Sequence, residues 1–443
     1  MSLEKQKPGP AAHRLAVRGD LLDFVAAPAW GATDTPAVRF DRDHWLLIEH
    51  GRIVGRQSSE PDASWVREDH AGRLILPGFI DTHVHCPQIE VLGSYGTELL
   101  DWLARYTFPA ERAFADPARS RAGAELFLDA LLAHGTTSAV VFPTVHKVSA
   151  EALFEGAQAR GMRLITGKVL MDRHAPDGLR DDVVQAELDC RDLIARFHGR
   201  DRLAYAVTVR FAPTSTPEQL AMAGQLCRDD ASLYMQTHVA ENRAEVEWVA
   251  SLFPEARSYL DVYERAGLLH ERAVLAHGIW LDDADKRLLQ ERGAQIAHSP
   301  SSNLFLGSGL FDWRGAPFNV SLASDVGGGT SLNLLRNAQD AYKIQALRGE
   351  RLTAWAALHA ATRGAAEALQ LGQEIGGLAV GQTADLCVWD WAVGEVAQAR
   401  DAAARELHER VFAWMTLADE RNLAAVYVAG KVVGKGAGRL RLD

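Results

Sequence analysis

Between about Pro77 and Leu378, apolar runs of strand length alternate with helical stretches of roughly 10 to 20 residues, and this alternation limits the possible folds most. The strand candidates are 75–83, 136–142, 163–170, 204–211, 233–239, 273–277, 294–298 and 319–324. Eight consecutive βα units favour a closed (β/α)8 barrel over an open doubly wound sheet, and no GxGxxG motif follows any of the strands. The intervening helices are amphipathic. Stretches 150–160 and 217–227 carry apolar residues at three- and four-residue spacing, with Pro217 placed after a capping Thr216.

Both ends of the chain have a different texture, with short strands and turns at 21–25, 45–49, 50–55, 384–389 and 424–433. The expectation is an α/β chain: a TIM barrel over residues 76–378, and a small β-sandwich domain assembled from residues 1–75 and 379–443. Hydrophobic residues at 47% and charged residues at 24% argue against a disordered or fibrous chain. A formal net charge of −11 with no Lys/Arg-rich run disfavours nucleic acid or an acidic membrane surface as partner. Four scattered cysteines without a CxxC pair suggest neither a disulfide framework nor a thiolate metal site, and fit a reducing cytoplasm. The first ten residues lack the apolar core of a signal peptide, and no run of about 18 apolar residues is available for a membrane span.

In a closed barrel the reactive groups stand at the C-terminal ends of the strands, so the polar residues ending each apolar run are the candidates. The first run ends in His83 and His85, two apart and therefore on one face of a strand. The fifth ends in His238, followed by Glu241; the sixth ends in His277; the eighth ends in Asp325. Singly, a strand-end histidine is more often a hydrogen-bonded core residue, and a strand-end aspartate is often a helix N-cap. Together, imidazoles and a carboxylate without thiolates suit Zn2+ or Fe2+ and leave the ion able to hold a reactive water. His134 reads as a helix C-terminal residue, His359 as packing or surface, and His298 as a group that could touch the site without binding metal.

These residues lie in motifs that resemble the amidohydrolase superfamily. The pattern is carried by Pro77-Gly78-Phe79-Ile80-Asp81-Thr82-His83-Val84-His85, by Ala276-His277-Gly278 and by Ser324-Asp325. A narrower resemblance, to the guanine-deaminating branch, is carried by stretches 107–111, 167–172, 236–246, 296–303 and 324–329, and by Arg210-Phe211. Ser299 and Ser324 depart from the branch, where Cys and Thr are common.

The resemblance implies zinc held by His83, His85, His238 and Asp325. It implies Glu241 as proton shuttle, His277 steadying the activated water, and Gln88, Arg210 and Phe211 holding the purine. Two-metal relatives use a carbamylated lysine ending the fourth strand. No lysine occurs between Lys168 and Lys286, so one ion per chain is expected, with Lys168 on the third strand the one reservation.

The implied reaction is hydrolytic deamination of guanine to xanthine and ammonia in purine catabolism, by a cytoplasmic homodimer. Open alternatives are an aminohydrolase acting on a pterin, triazine or S-adenosylhomocysteine-like substrate, and a metal-free scaffold with the same fold. Arg210 also has a plainer reading, as a structural ion-pair partner at the barrel mouth.

Overall fold

The computed structural model describes residues 14–95 and 99–435. The opening stretch read for a signal peptide lies outside the described residues. Strands β1 (Arg14–Phe24), β2 (Val38–Glu49), β3 (Arg52–Gln57) and β4 (Val66–Pro77) precede the barrel. The barrel strands are β5 (Phe79–His85), β6 (Thr136–Phe142), β7 (Arg163–Thr166), β8 (Val169–Leu170), β9 (Leu203–Val209), β10 (Tyr234–Val239), β11 (Ala273–His277), β12 (Gln295–His298) and β13 (Val320–Leu322). Strands β14 (Leu386–Trp389), β15 (Leu423–Val428) and β16 (Lys431–Lys435) follow.

The run expected as one strand over 75–83 is divided between two sheets. Residues up to Pro77 pair with β1 and β14, and residues from Phe79 pair with β6. Gly78 is the crossing point: its N–H donates to Asp385 O at 2.9 Å, and a Cβ there would collide with Thr137. The third strand is likewise broken. Gly167 approaches the backbone of Ala206 too closely for a side chain, and the chain resumes as β8, where the Val169 N–H donates to Thr144 O at 3.1 Å.

Parallel pairing runs β5-β6-β7-β9-β10-β11-β12-β13, with β8 also on β9. The ring closes between β13 and β5 through local bonds: Thr82 Oγ1 donates to Leu322 O at 3.1 Å, and Asp325 N–H donates to His83 O at 2.9 Å. Alternation along each strand sorts the two faces. Ile80, Val140, Ile165, Ala206, Tyr234, Val274 and Ala297 share the inner cluster with residues 365–375, which plug the bottom. Val141, Leu164, Val207, Met235, Leu275 and Ile296 belong instead to the large outer core. With the bottom packed, the strand C-terminal ends form the open face.

The terminal segments form one seven-stranded sheet, β16-β15-β14-β4-β1-β2-β3, which curls around its own core of Val17, Leu46, Ile48, Ile53, Leu386, Val388 and Tyr427. Its curl brings the β2–β3 turn onto the stretch before β14: Ala384 N–H donates to Gly51 O at 2.8 Å and Ile53 N–H to Gln382 O at 2.9 Å.

Asp23 binds the two ends of the chain together. Its carboxylate, 1% exposed, accepts from Arg39 at 2.6 and 2.9 Å, from Arg56 at 2.8 Å and from the Leu378 N–H at 2.9 Å. Burial alone would raise its pKa, but the hydrogen bonds from Arg39 and the charge of Arg56 outweigh burial and hold it below the ordinary range. A carboxyl depressed in the folded state adds stability above its unfolded pKa, and that stability is lost as pH falls through the folded value. Asp23→Ala removes the shared acceptor of Arg39, Arg56 and the Leu378 N–H and leaves Arg56 with Asp41 alone; it should cost about 1–3 kcal/mol, measured by denaturant unfolding at neutral pH. The deficit relative to wild type should shrink as the pH is lowered through the acid range.

Candidate active site

The two histidines ending β5 face the same side, and β10 delivers His238 beside them. Asp325, three residues beyond β13, completes a group whose four ligand atoms lie within 4.8 Å of one another. Three of the separations are short: His83 Nε2 to Asp325 Oδ1 is 3.2 Å, His85 Nε2 to the same oxygen is 3.3 Å, and His85 Nε2 to His238 Nε2 is 3.2 Å. Ligands about 2.0–2.1 Å from a tetrahedral ion stand roughly 3.3 Å apart, so these donors fit one divalent cation.

Their chemistry fits as well. His83 Nε2 is buried without a hydrogen-bond partner. His238 Nδ1 lies 2.6 Å from Arg210 O, which places its proton there and turns the Nε2 lone pair into the group. Burial pushes the pKa of His85 down to about 3 and that of His238 well down, leaving both imidazoles neutral and able to ligate.

Backbone strain gathers around these residues. Ala240, His277 and Asp325 adopt left-handed φ values of 48°, 71° and 47°, each just where the chain leaves a barrel strand. Beneath the group lies Asp81, fully buried. It accepts from the His83 N–H at 3.3 Å and the Ser324 N–H at 3.0 Å, and the Ser324 hydroxyl donates to its second oxygen. Burial raises its pKa to about 6. Ser324 therefore has a supporting task although it belongs neither to the ligand group nor to the pocket wall. The short polar residue that departs from the branch pattern keeps the hydroxyl this task needs.

Glu241 stands beside the cage and outside it. Its Oε2 is 3.6 Å from His277 Nε2, and the Ser308 hydroxyl donates to its Oε1 at 2.9 Å. Burial, then the charge of Asp325, raises its pKa to about 8 against the lowering effect of Ser308. His277 Nδ1 lies 2.9 Å from Asn303 Oδ1, so its proton sits there and Nε2 faces Glu241 and Asp325 Oδ2, the latter at 3.7 Å. Glu245 fixes the turn that carries Glu241. Its Oε2 accepts from the Glu241 and Asn242 N–H groups at 2.9 and 3.3 Å, and Tyr259 donates to Oε1 at 2.7 Å.

A pocket of about 440 Å³ opens on this cluster, lined also by Gln88, Arg210, Phe211, Trp102, Leu103, Leu306 and Gly328. Arg210 follows β9 directly and is 3% exposed; its Nη1 meets both oxygens of Glu111 at 2.7 and 2.8 Å. The plainer reading of Arg210 as an ion-pair partner is thus realised, and the same side chain still lines the pocket. Gln88 lies on the 3-10 turn Cys86–Val91, held where a Cβ on Gly327 would strike it.

Every sequence-predicted site residue lies in this one cluster: His83, His85, Gln88, Arg210, Phe211, His238, Glu241, His277 and Asp325. Lys168 does not join it; its ammonium is paired with Asp181 and donates to Val169 O at 3.3 Å. His298 is buried against Phe311 with ring centroids 4.7 Å apart, outside the pocket wall. His134 Nδ1 donates to Ala130 O at 2.7 Å at a helix end, and His359 packs edge-on to Phe24. Asp81, Trp102, Glu111, Glu245, Asn303 and Ser308 have supporting places that the sequence reading did not assign. Asp81, Glu111, Glu245 and Asn303 lie within the motif stretches, and Glu245 also carried a physical signal, the Asn242-x-x-Glu245 capping box.

The amidohydrolase family model matches residues 74–433. The guanine deaminase of Escherichia coli (strain K12) is 42% identical over 427 residues, covering 94% of this chain and 97% of that protein. Among solved structures, E. coli guanine deaminase superposes with a TM-score of 0.91 at 39% identity, covering 95% of this chain and 99% of that one. Guanine deaminase from C. acetobutylicum, with bound guanine in the active site, superposes with a TM-score of 0.85 at 26% identity, covering 95% and 99%.

Removing the clamp under the ligands should loosen the cage without emptying it. Asp81→Asn should weaken metal retention by about 10–100-fold, read as faster loss to a chelator at unchanged thermal midpoint in the metal-free protein. Retention equal to wild type would leave Asp81 with a purely structural task.

Proposed function

The chain belongs to the amidohydrolase family, and from that premise we propose that it deaminates guanine hydrolytically, giving xanthine and ammonia. One juxtaposition carries the reading: a four-donor cage, a buried carboxylic acid outside it, and a pocket with a buried arginine in its wall. The likeness to deaminases of guanine supplies the substrate. His83, His85, His238 and Asp325 would hold a single divalent ion, zinc or ferrous iron. Lys168 is committed to Asp181, which supports one ion and not two. Such an ion acidifies a water toward about neutral pH and stabilises negative charge developing near it.

Glu241 then moves both protons of that water. It takes the first and places it on the ring nitrogen beside C2 as the oxygen joins C2, the carbon bearing the exocyclic amine. It takes the second from the oxygen now on C2 and delivers it to the amine, which leaves as ammonia. One water and one guanine become one xanthine and one ammonia. A carboxyl whose pKa is raised by burial suits both directions of transfer, and zinc deaminases of another fold likewise use a glutamate that is not a ligand.

His277, oriented by Asn303, offers Nε2 to the attacking oxygen. Arg210 donates to the carbonyl at C6, Gln88 borders the same edge, and Phe211 with Leu306 covers the flat base. Adenine has an amino donor where guanine has that carbonyl, and no amine at C2. It would leave Arg210 without its acceptor and present no leaving group.

Four free, buried cysteines support a reducing cytoplasm as the compartment. Among the described residues no helix is long and apolar enough to cross a membrane. A homodimer is part of the proposal on the strength of the family resemblance alone.

An ammonia-release screen across guanine, adenine, cytosine, pterins and S-adenosylhomocysteine tests the substrate. Guanine should be preferred, with adenine and cytosine not appreciably turned over; preference for a pterin would overturn the assignment and leave the aminohydrolase chemistry standing. Elemental analysis should find about one divalent ion per chain. Glu241→Gln should keep that ion and lose turnover by about a hundredfold or more. Burial raises the Glu241 pKa to about 8 and a bound cation would lower it; since the carboxyl must start deprotonated to take the first proton, the wild-type rate should fall as pH drops through a value at or below about 8. This limb should be missing from the residual rate of Glu241→Gln. Arg210→Ala should keep the ion and lose kcat/KM for guanine.

A further inference from the structure

Arg210 reaches the pocket wall already paired. Its partner Glu111 is 1% exposed by side chain, Arg210 is 4% exposed, and both carboxylate oxygens meet a single guanidinium nitrogen. Glu111 is absent from the pocket wall, which Arg210 and Gln88 both line. It stands behind them, and its Oε1 also accepts from Gln88 Nε2 at 3.4 Å. One hidden carboxylate therefore anchors both polar side chains of the edge that meets the base.

The helix supplying Glu111 is built irregularly to do so. A π-helical turn, Leu103–Thr107, separates Leu99–Trp102 from Phe108–Ala113. In an unbroken α-helix, Trp102 and Glu111 would point about 180° apart; one inserted residue reduces that to about 80°. The same helix can then set Trp102 and Leu103 on the pocket wall and Glu111 on Arg210. Phe108 also lies 5.4 Å from the guanidinium, covering it with a ring.

An unpaired guanidinium at this depth would attract any anion strongly, because little water screens it. We propose that Glu111 is a positioning residue that sets the charge selectivity of the substrate edge: paired with it, Arg210 accepts a neutral oxopurine and gives an anionic one no net attraction. The proposal rests on the guanine reading above. Guanine is neutral near neutral pH. The 2,6-dioxopurine product gives up a ring proton more readily, since its anion spreads over two carbonyls. A charge-cancelled edge would thus favour departure of the product as it ionises.

The test measures binding of xanthine by calorimetry to the metal-loaded Glu241→Gln protein while pH is raised through xanthine's ring ionisation. Hypoxanthine, neutral over that window, is the reference for any titration of the protein. Relative to hypoxanthine, xanthine should weaken by up to about tenfold per pH unit once it ionises, since its anion would give up hydration with no net charge at this edge to offset the loss. Adding Glu111→Gln, which keeps the shape and removes the charge, should abolish that weakening or turn it into tightening.

In otherwise wild-type enzyme, Glu111→Gln should raise KM for guanine more than it lowers kcat. Adding Arg210→Gln to the Glu111→Gln calorimetry protein removes both charges and should bring the weakening back. Xanthine that tightens on ionising in the Glu241→Gln protein would overturn the proposal, as would an unchanged pH dependence on adding Glu111→Gln. If the Glu111→Gln chain fails to fold, the Glu241→Gln measurement decides alone. Absence of ammonia release from guanine by wild type would count against the substrate reading, while the xanthine measurement still tests Glu111.

Discussion

The seam between the first and last barrel strands is the constraint on which the rest depends. It must close the ring and assemble the cage with the same few bonds. Asp325 donates its N–H to the His83 carbonyl, and Asp81 gathers the N–H groups of His83 and Ser324. Closing the barrel therefore brings two imidazoles and one carboxylate together, although they are about 240 residues apart in the chain. The left-handed backbone at Asp325 is held by its N–H bond to His83 across the seam, and His277, also left-handed, is held through its ring by Asn303.

Around that seam the mouth divides into two electrostatic halves. On the cage side, neutral histidines and a carboxylate face inward and suit a cation. On the side that would meet a base, every charge is matched: Arg210 by Glu111, with Gln88 leaning on the same carboxylate. Glu241 lies between the halves, its pKa raised by burial and then by the charge of Asp325. A group so poised can exchange protons, whereas a carboxylate in a salt bridge could not.

Support for these groups comes from hydrogen bonds made at and behind the pocket wall. Tyr259 holds Glu245, which holds the turn of Glu241; Asn303 orients His277; the Arg210 carbonyl orients His238. The last case links the halves directly, since the backbone of the pocket-wall Arg210 sets the tautomer of His238 in the candidate ligand group. The curled terminal sheet stands apart from this chemistry and is tied across the chain's two ends by Asp23.

The sequence by itself determined the barrel and the residues that end its strands. Those features are written in local patterns: period-two apolar runs, helical spacing between them, and polar residues where each run stops. Hence His83, His85, His238, His277, Asp325 and Glu241 are legible in the chain itself. Chain passage at Gly78 from one sheet to the other was not, because an apolar run reads the same whichever strand it pairs with. Nor were the partners that tune the site. Glu111 reaches Arg210 across 99 residues and only through a π turn, Asp81 acts across 243 residues on Ser324, and Ser308 meets Glu241 across 67. Residue type and spacing decide which side chains can ligate or transfer a proton. Which charge is cancelled, which carboxyl stays protonated and which tautomer a histidine holds depend on burial and distant neighbours, and only the folded chain brings those together.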